Sequence, residues 1–335
     1  MTHSALETLH FFSREFSDLW ARYERSRSIC RELADWPTWC YAPIAAALPI
    51  SGDNKPMLAA KFTALGTWRM TKGIYRFDST LMEELLRTPL DAAVPVDVLY
   101  RLPEWCVYVE LDAMPTFAGT ARGVWAWLEP ARTRSVESVV LSILFDTAGS
   151  TADMLDERST IALHIELSGD SVLEALESTY PQATPVLDAF AELARPVISL
   201  LLYLCSSRSE ISLDGVLTRP SLPVPVRTRR HGEKLFPAAA PRVWDLGIRI
   251  GSELRAARAA SGNSTGSTGR SVVPHIRRPH WHTFVIGPRK GIELQARARD
   301  VRWMPPIAVA VTDVDAMPAT IHPVSRPDAR TSSRR

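Results

Sequence analysis

The stretch WCVYVEL at residues 105–111 begins a series of four short apolar runs that establish the fold class. The runs after it are GVWAWLE (123–129), SVVLSILFD (138–146) and STIALHIEL (159–167). Each is rich in Val, Ile, Trp or Tyr, and Gly, Pro, Ser, Thr and Asp separate them, which is typical of strands joined by turns. The pattern predicts four strands of a mostly antiparallel sheet, with His164 as a strand residue whose ring is hydrogen-bonded.

Helical spacing dominates on both sides of these strands. Before them, apolar residues at three- and four-residue steps predict one long amphipathic helix that carries Leu9, Phe12, Phe16, Leu19, Trp20 and Tyr23. Shorter helices are predicted over residues 56–70 and 78–88, where Asp78 or Ser79 could cap the start. After the strands, a wide apolar stripe between residues 186 and 204 predicts a helix buried across the sheet.

The last third of the chain has a different pattern. Residues 243–260 have helical spacing, and residues 261–271 form a Gly/Ser-rich segment that we expect to be a flexible loop. Two β-like runs at 275–287 and 293–309 then predict a hairpin.

These elements predict an α+β fold with N-terminal helices, a central mostly antiparallel sheet covered by a long apolar helix, and a basic C-terminal helix plus β-hairpin. We expect the helices and the sheet to form an α+β domain over residues 1–225. The basic helix and hairpin are expected at 226–317, and a disordered tail at 318–335.

Charge is divided unevenly along the chain, although the formal net charge is only +2. Residues 227–335 hold 20 basic and 8 acidic side chains, a balance of +12, while residues 1–226 hold 19 basic and 29 acidic ones, a balance of −10. Such a division suggests that the basic part meets a polyanion or an acidic protein surface. The alternative is an ordinary solvated surface that is rich in arginine.

Several classes of protein are disfavoured by the sequence. The N-terminus lacks the pattern of a signal peptide, and the most apolar run, VISLLLYLC (197–205), is far shorter than the ~20 residues of a spanning helix. Four widely spaced cysteines fit reduced thiols in a cytosolic protein, so we expect a soluble cytoplasmic protein with no membrane partner. The signatures GxxxxGK(S/T), GxGxxG, GxSxG and HExxH are absent, so no cofactor is expected and a binding protein is favoured over an enzyme.

The densest group of chemically active side chains lies in HIRRPHWHTF, residues 275–284, which holds three of the eight histidines. Alternation along an extended chain places Trp281 on one face and His280 and His282 on the other. Pro279 should interrupt the strand, because proline cannot donate to the ladder. Across the two runs of the hairpin and the segment between them, the candidate binding residues are His275, Arg277, Arg278, His280, Trp281, His282, Arg289, Arg302 and Trp303.

Four interpretations of this group remain open. A metal site could use His275, His280 and His282, but no cysteine or carboxylate lies nearby in sequence to complete a tetrahedral set, so no metal is expected. A ribonuclease-like site would use His280 and His282 as base and acid, with arginine holding the phosphate. A binding surface, the favoured interpretation, would use arginines on phosphate and Trp281 or Trp303 stacked on a base or a peptide side chain. In the fourth, the tryptophans fill the core and the histidines only form hydrogen bonds.

Five stretches between about residue 70 and residue 311 carry a resemblance to a known family. They are TKGIYRFDSTLMEELLRTPLD, LPEWCVYVEL, GVWAWLE, GEKLFPAAAPRVWDLGIRIGSELR and VVPHIRRPHWHTFVIGPRKG with VRWMPPIAV. They resemble a family of phage- and plasmid-borne proteobacterial proteins that includes the type V-A anti-CRISPR protein, which lowers production of the CRISPR effector nuclease.

This resemblance implies a non-enzymatic binding protein of a mobile element that acts in the cytoplasm of a bacterial host. Its implied partner is the polypeptide of the type V-A CRISPR effector nuclease, recognised as it is translated, after which the effector mRNA is lost. The basic C-terminal region would then lie near mRNA or the ribosome. The alternative is a ribonuclease or RNA-binding protein that uses the C-terminal hairpin, with His280 and His282 as the catalytic pair.

Overall fold

A computed structural model of the chain describes residues 3–52, 54–133, 136–147, 151–229, 232–262, 275–287 and 298–309. The helices in these ranges are α1 (Ser4–Glu15), α2 (Leu19–Leu33), α3 (Leu48–Ser51), α4 (Pro56–Trp68), α5 (Ser79–Arg87), α6 (Thr151–Leu155), α7 (Val172–Thr179), α8 (Pro185–Cys205) and α9 (Ile248–Gly262). Short 3-10 helices lie at Ile44–Ala46, Val96–Arg101 and Glu157–Ser159. The strands are β1 (Gly73–Phe77), β2 (Cys106–Thr116), β3 (Gly119–Thr133), β4 (Val136–Phe145), β5 (Ala162–Glu166), β6 (Ile211–Leu213), β7 (Val216–Leu217), β8 (Val226–Thr228), β9 (Gly232–Lys234), β10 (Arg242–Leu246), β11 (His275–Arg277), β12 (His280–Ile286), β13 (Ala298–Met304) and β14 (Ile307–Val309).

An eight-stranded sheet organises the molecule, with its strands in the order β5-β4-β3-β2-β1-β10-β6-β7. The strand β1 runs parallel to both of its neighbours, β2 and β10, and the other five pairs are antiparallel. Outside this sheet, the described residues form the pairs β8–β9, β11–β14 and β12–β13. The prediction of an α+β fold is confirmed, and the four apolar runs form β2, β3, β4 and β5.

Both faces of the central part of the sheet are buried, because alternate residues of its strands enter two different apolar clusters. On β2, Val107 and Val109 pack in a cluster with α5, α7 and α8, which we call the first cluster. Cys106 and Tyr108 of the same strand pack in a second cluster with α1, α2 and α4. This layered arrangement explains why the strands are nearly continuous apolar runs in sequence.

The helix α8 contributes a long buried segment to the first cluster. Its hydrophobic residues between 197 and 205 are all buried there. Thr184 caps the helix by accepting a hydrogen bond from the backbone N–H of Leu187, and Pro185 occupies the first turn, where no N–H is needed. Within the described ranges, no helix combines the length and the apolar character needed to cross a membrane.

The predicted long N-terminal helix is wrong, since the chain forms two helices, α1 and α2, with a break at residues 16–18. At the break, Phe16 leaves the helical region of backbone conformation, with a φ of −126° and a ψ of 85°. The break allows the ring of Phe16 to meet the ring of Phe62 on α4 edge-on, with centroids 5.8 Å apart. Tertiary packing of aromatic rings therefore overrides the helical spacing.

The strand β10 occupies residues for which helical spacing predicts a helix, and this part of the prediction is also wrong. Arg242 to Leu246 pair in parallel with Gly73 to Phe77 of β1, and the last three residues of β10 also pair with β6. Gly247, with a φ of 65°, turns the chain into α9. Although β10 lies beyond the predicted boundary at residue 226, it belongs to the central sheet, so the two predicted regions share that sheet.

The hairpin predicted near the C-terminus is present. The strands β12 and β13 pair antiparallel over seven residues each, and β11 pairs with β14. β11 ends at Arg277 and β12 begins at His280, so Pro279 lies in the predicted interruption. Apart from Ser261 and Gly262, which end α9, the predicted flexible loop at 261–271 lies outside the described residues, as does the predicted tail.

Candidate functional site

The hairpin formed by β12 and β13 is attached to the core through two tryptophans. Trp281 lies directly opposite Trp303 in the strand register, and both indoles are buried in the first cluster. The Nε1 of Trp281 donates to Oγ of Ser199 on α8 at 3.3 Å, and the Nε1 of Trp303 donates to Oγ1 of Thr88, after α5, at 2.9 Å. Both tryptophans are therefore core residues, as in the fourth interpretation, and neither presents a free ring face for a base or peptide.

The opposite side of the hairpin forms its outer face, which consists of His280, His282, Phe284 and Arg302. The ring of His282 meets the ring of Phe284 edge-on at 4.5 Å, and the guanidinium carbon of Arg302 lies 4.4 Å from the centre of the Phe284 ring. Both histidines are exposed. Exposed imidazole beside a stacked guanidinium is suited to contact phosphate, carboxylate or a polar peptide.

A buried carboxylate fixes the arginine of the outer face. Asp300 accepts a 2.7 Å hydrogen bond from Nε of Arg302 and a 2.5 Å bond from Oγ of Ser207. Burial opposes ionisation of this carboxyl, but the hydrogen bonds from Ser207 and Arg302 lower the pKa of Asp300 below its ordinary value. Arg302 is thus held in place by its ring contact and by an ionised partner.

The remaining predicted site residues are placed less completely. Arg278 is exposed in the interruption between β11 and β12, and its carbonyl oxygen lies 3.3 Å from Nδ1 of His280. His275 and Arg277 lie in β11, where only the backbone is described, and Arg289 lies outside the described residues. Within the described ranges, no group of three histidines, cysteines or carboxylates could hold a metal ion.

A buried polar chain crosses β3, β4 and β5, and only its histidine attracts attention in the sequence. Glu129 accepts hydrogen bonds from the hydroxyl of Ser142 (2.5 Å) and the backbone N–H of Ile44 (2.7 Å), and the Ser142 hydroxyl lies 2.9 Å from Nδ1 of His164. The predicted hydrogen bond of the His164 ring is confirmed, and burial lowers its pKa. Because Ser142 is fully buried and lies between the acid and the histidine, this order differs from a nucleophilic triad, in which the histidine is central.

A pocket with aromatic walls opens beside the start of β2, and the sequence patterns do not identify it. The space among its lining residues is about 280 Å³, part of it open to solvent, and the lining consists of Trp39, Tyr100, Leu102, Glu104, Trp105, Leu128 and Leu222. We call it the Glu104 pocket, because Glu104 is the one ionisable carboxylate among these lining residues. The only signal in the sequence is an acidic residue between Pro103 and Trp105, immediately before a buried strand.

Comparison with known proteins identifies the family to which the chain belongs. Residues 75–311 match the model of the AcrVA2-like family, described as the anti-CRISPR type V subtype A2 family. The protein FinQ of Escherichia coli is 25% identical over 283 residues, which are 77% of this chain and 79% of FinQ. The crystal structure of AcrVA2 has the same fold, with a TM-score of 0.67 at 24% identity over 92% of this chain and all of that one. Since the family match spans well over half of the sequence, the chain belongs to the anti-CRISPR type V subtype A2 family.

Proposed function

We propose that this protein is an anti-CRISPR binding protein of a mobile genetic element. It recognises the type V-A effector polypeptide while that polypeptide is being translated, and it lowers the amount of effector mRNA and protein in the bacterial cytoplasm. The observation that carries this function is the family match over residues 75–311.

The C-terminal hairpin supplies a contact surface for this function, separate from the part of the protein that holds the polypeptide. Its outer face presents His280, His282 and Arg302 on a strand pair that two buried tryptophans attach to the core. A rigid support lowers the entropy that is lost when side chains are ordered by a partner. We propose that this face and Arg278 lie against mRNA or the ribosome while another part of the protein holds the polypeptide.

A co-expression experiment separates recognition of the peptide from recognition of the message. The protein is produced with a type V-A effector whose message is native, recoded with synonymous codons, or frameshifted directly after the start codon and restored downstream. We expect the mRNA and protein of the native and recoded effectors to fall, and those of the frameshifted effector to be spared. Equal loss of all three messages, or no loss of the native one, would overturn recognition of the nascent polypeptide.

Charge reversal tests the role of the outer face in the same assay. The double variant Arg278→Glu, Arg302→Glu should weaken the loss of effector mRNA, because it replaces two cations with anions on one surface. The control is Arg158→Glu, which changes an almost fully exposed arginine outside the hairpin. Unchanged mRNA loss in a folded double variant would remove the hairpin from the mechanism.

A ribonuclease or RNA-binding function is the second candidate. It is favoured by one observation: His280 and His282 are both exposed, and Arg302 lies directly opposite His282 in the register. Purified protein would then cleave RNA, and His280→Ala or His282→Ala would abolish cleavage. RNA that stays intact with and without divalent metal excludes the nuclease, and binding that does not weaken with salt excludes phosphate contacts.

A further inference from the structure

We propose that the Glu104 pocket holds a basic side chain, lysine or arginine, of a bound polypeptide, with the Glu104 carboxylate as its counter-charge. The identification of that polypeptide as the nascent effector rests on the function proposed above. The ability of the pocket to hold a basic side chain does not depend on that function, and it can be measured separately.

Glu104 is a buried carboxyl group without a charge partner in hydrogen-bond contact. Only 4% of the residue is exposed, and its Oε2 forms no hydrogen bond of normal geometry. The hydroxyls of Tyr75 and Thr71 lie close enough to act on it as hydrogen-bond donors and to lower its pKa, but none of these contacts has the geometry of a normal hydrogen bond. The carboxyl is seated against Gly73 of β1, where the Cβ of any other residue would overlap Oε2. A buried carboxylate that is supported only by two imperfectly placed hydroxyls, and by no cation in contact, gains free energy when a cation binds to it.

Burial controls the ionisation of this group. It raises the pKa of Glu104 to about 7, although the Tyr75 and Thr71 hydroxyls and the positive charge of Arg242 act in the opposite direction. A cation that enters the pocket favours the ionised form, so binding must release a proton near neutral pH. A carboxylate or phosphate would instead meet a negative group, and an apolar group would leave the acid unpaired.

The walls of the pocket suit a cation with an apolar stem. Trp39, Tyr100 and Trp105 supply aromatic rings, and Leu102 and Leu128 supply aliphatic surface. The Nε1 of Trp105 donates to the carbonyl oxygen of Thr38 at 2.9 Å, which fixes that ring before any ligand arrives. Aromatic faces attract ammonium and guanidinium groups, while the methylene stem of a long basic side chain covers apolar surface.

The size of the pocket indicates one side chain. About 280 Å³ lies among its lining residues, and because part of this is open solvent, the pocket is smaller than the ~300–1,000 Å³ that is typical of sites for whole small molecules. Leu222, in the proline-rich segment before β8, lies at the lining and is partly exposed. An extended peptide that passes this rim could insert one lysine or arginine toward Glu104.

Calorimetry on the purified full chain with two matched probes tests the pocket. Nα-acetyl-arginine methylamide carries the cation, and Nα-acetyl-citrulline methylamide has nearly the same shape without charge. At pH 7.5 we expect the arginine derivative to bind at least about tenfold more tightly, because only it satisfies the buried carboxylate. Equal affinity of the two derivatives, or no binding of the arginine derivative, would overturn the proposal that the pocket holds a basic side chain.

A variant and a change of pH provide independent readouts. Glu104→Gln should abolish the preference for arginine over citrulline, whereas Glu166→Gln, which removes an exposed carboxylate on β5, should retain it. Since the pKa of Glu104 is about 7, lowering the pH from 7.5 to 5.5 should weaken arginine binding by more than about tenfold. The assignment of Glu104 as the counter-charge is contradicted if the preference for arginine over citrulline persists in a folded Glu104→Gln protein. It is also contradicted if arginine binding is the same at pH 7.5 and pH 5.5.

The effector assay then decides whether the pocket serves the proposed function. A folded Glu104→Gln protein that lowers effector mRNA as well as the unmodified protein would overturn the role of the pocket in effector recognition. If the unmodified protein leaves effector mRNA unchanged but binds the arginine derivative through Glu104, the proposed function fails and the basic-side-chain site stands.

Discussion

At the scale of single residues, Trp281 and Trp303 show how an amphipathic side chain can support a surface without being part of it. The two residues lie opposite each other in the β12–β13 pair and are both buried in the first cluster, and each indole N–H donates to a hydroxyl, on Ser199 or Thr88. A buried tryptophan is stable in this form because its apolar body is covered and its polar end has a partner. The tryptophans therefore make the contacts between the hairpin and the core, while the outer-face histidines lie on the opposite, exposed side.

Replacement of one residue on each face distinguishes the two roles. Trp281→Ala should lower the free energy of unfolding by ~3–5 kcal/mol, because it removes a fully buried ring and leaves a cavity. His282→Ala should lower it by less than ~1 kcal/mol, since the imidazole is exposed and loses mainly its edge contact with Phe284. Urea denaturation at one pH measures both values. Similar losses for the two variants would mean that the outer face is also structural.

The sequence predicts part of this site, and the limit has a physical cause. Alternation on either side of Pro279 correctly assigns His280 and His282 to the face opposite Trp281. It cannot say which face is buried, because tryptophan is equally suited to a core and to a binding surface. Ser199 and Thr88, whose hydroxyls bond the two indoles, are 82 and 215 residues away along the chain. Sequence patterns do not identify the Glu104 pocket for a similar reason, since Trp39, Leu128 and Leu222 reach residues 100–105 from distant parts of the chain.

At the scale of elements, α9 is held against α5 by opposite charges. Arg255 of α9 donates to both oxygens of Asp78 at 2.8 Å, and Arg258 pairs with Glu83 at 2.8 Å and with Glu84. Gly251 allows this approach, since a Cβ there would overlap the Asp78 carboxylate. Part of the charge division between the two regions of the sequence is therefore used within the molecule. Only the remaining positive charge is available to a partner.

Asp78 has two tasks at this junction, and variants can separate them. It caps α5 by accepting hydrogen bonds from the backbone N–H groups of Thr80 and Leu81 at 3.0 and 3.3 Å. Its carboxylate also forms an ion pair with the guanidinium of Arg255. Asp78→Ala should lower the free energy of unfolding by ~1–2 kcal/mol, because the cap is lost. Arg255→Ala should cost less than ~1 kcal/mol, since its guanidinium is half exposed. A double-mutant cycle checks this, and equal single losses would show that the ion pair, not the cap, dominates.

Local pattern identifies most elements, but it fails where distant strands determine the structure. The runs that form β2 to β5 are rich in β-branched and aromatic residues, and their strand character is readable directly. In β10, by contrast, Leu246 is followed by Ile250 and Leu254 at helical steps, so the pattern continues that of α9 backwards into the strand. The backbone of β10 is extended because β1 and β6 pair with it on both sides. No local signal contains that information.

At the scale of the whole molecule, the central sheet joins the acidic first part of the chain to the basic last part. β10 is inserted between β1 and β6, although β1 and β6 both come from the first 213 residues. Trp244 and Leu246 of β10 are buried in the first cluster, together with Trp281, Val301 and Trp303 of the hairpin. The C-terminal region is thus structurally part of the core, whatever surface it presents to a partner.

A truncation tests this unity directly. A chain that ends at residue 225 loses β10, and β1 and β6 would then present unpaired backbone edges in the interior of the sheet. It also loses the buried rings of Trp244, Trp281 and Trp303. We expect this fragment to aggregate or to unfold without a cooperative transition.

A chain that ends at Val309 keeps every described strand, and it should unfold cooperatively near the midpoint of the full protein. Circular dichroism and size-exclusion chromatography distinguish the cases, and a monomeric, cooperatively folded 1–225 fragment would show that the first part is an independent domain.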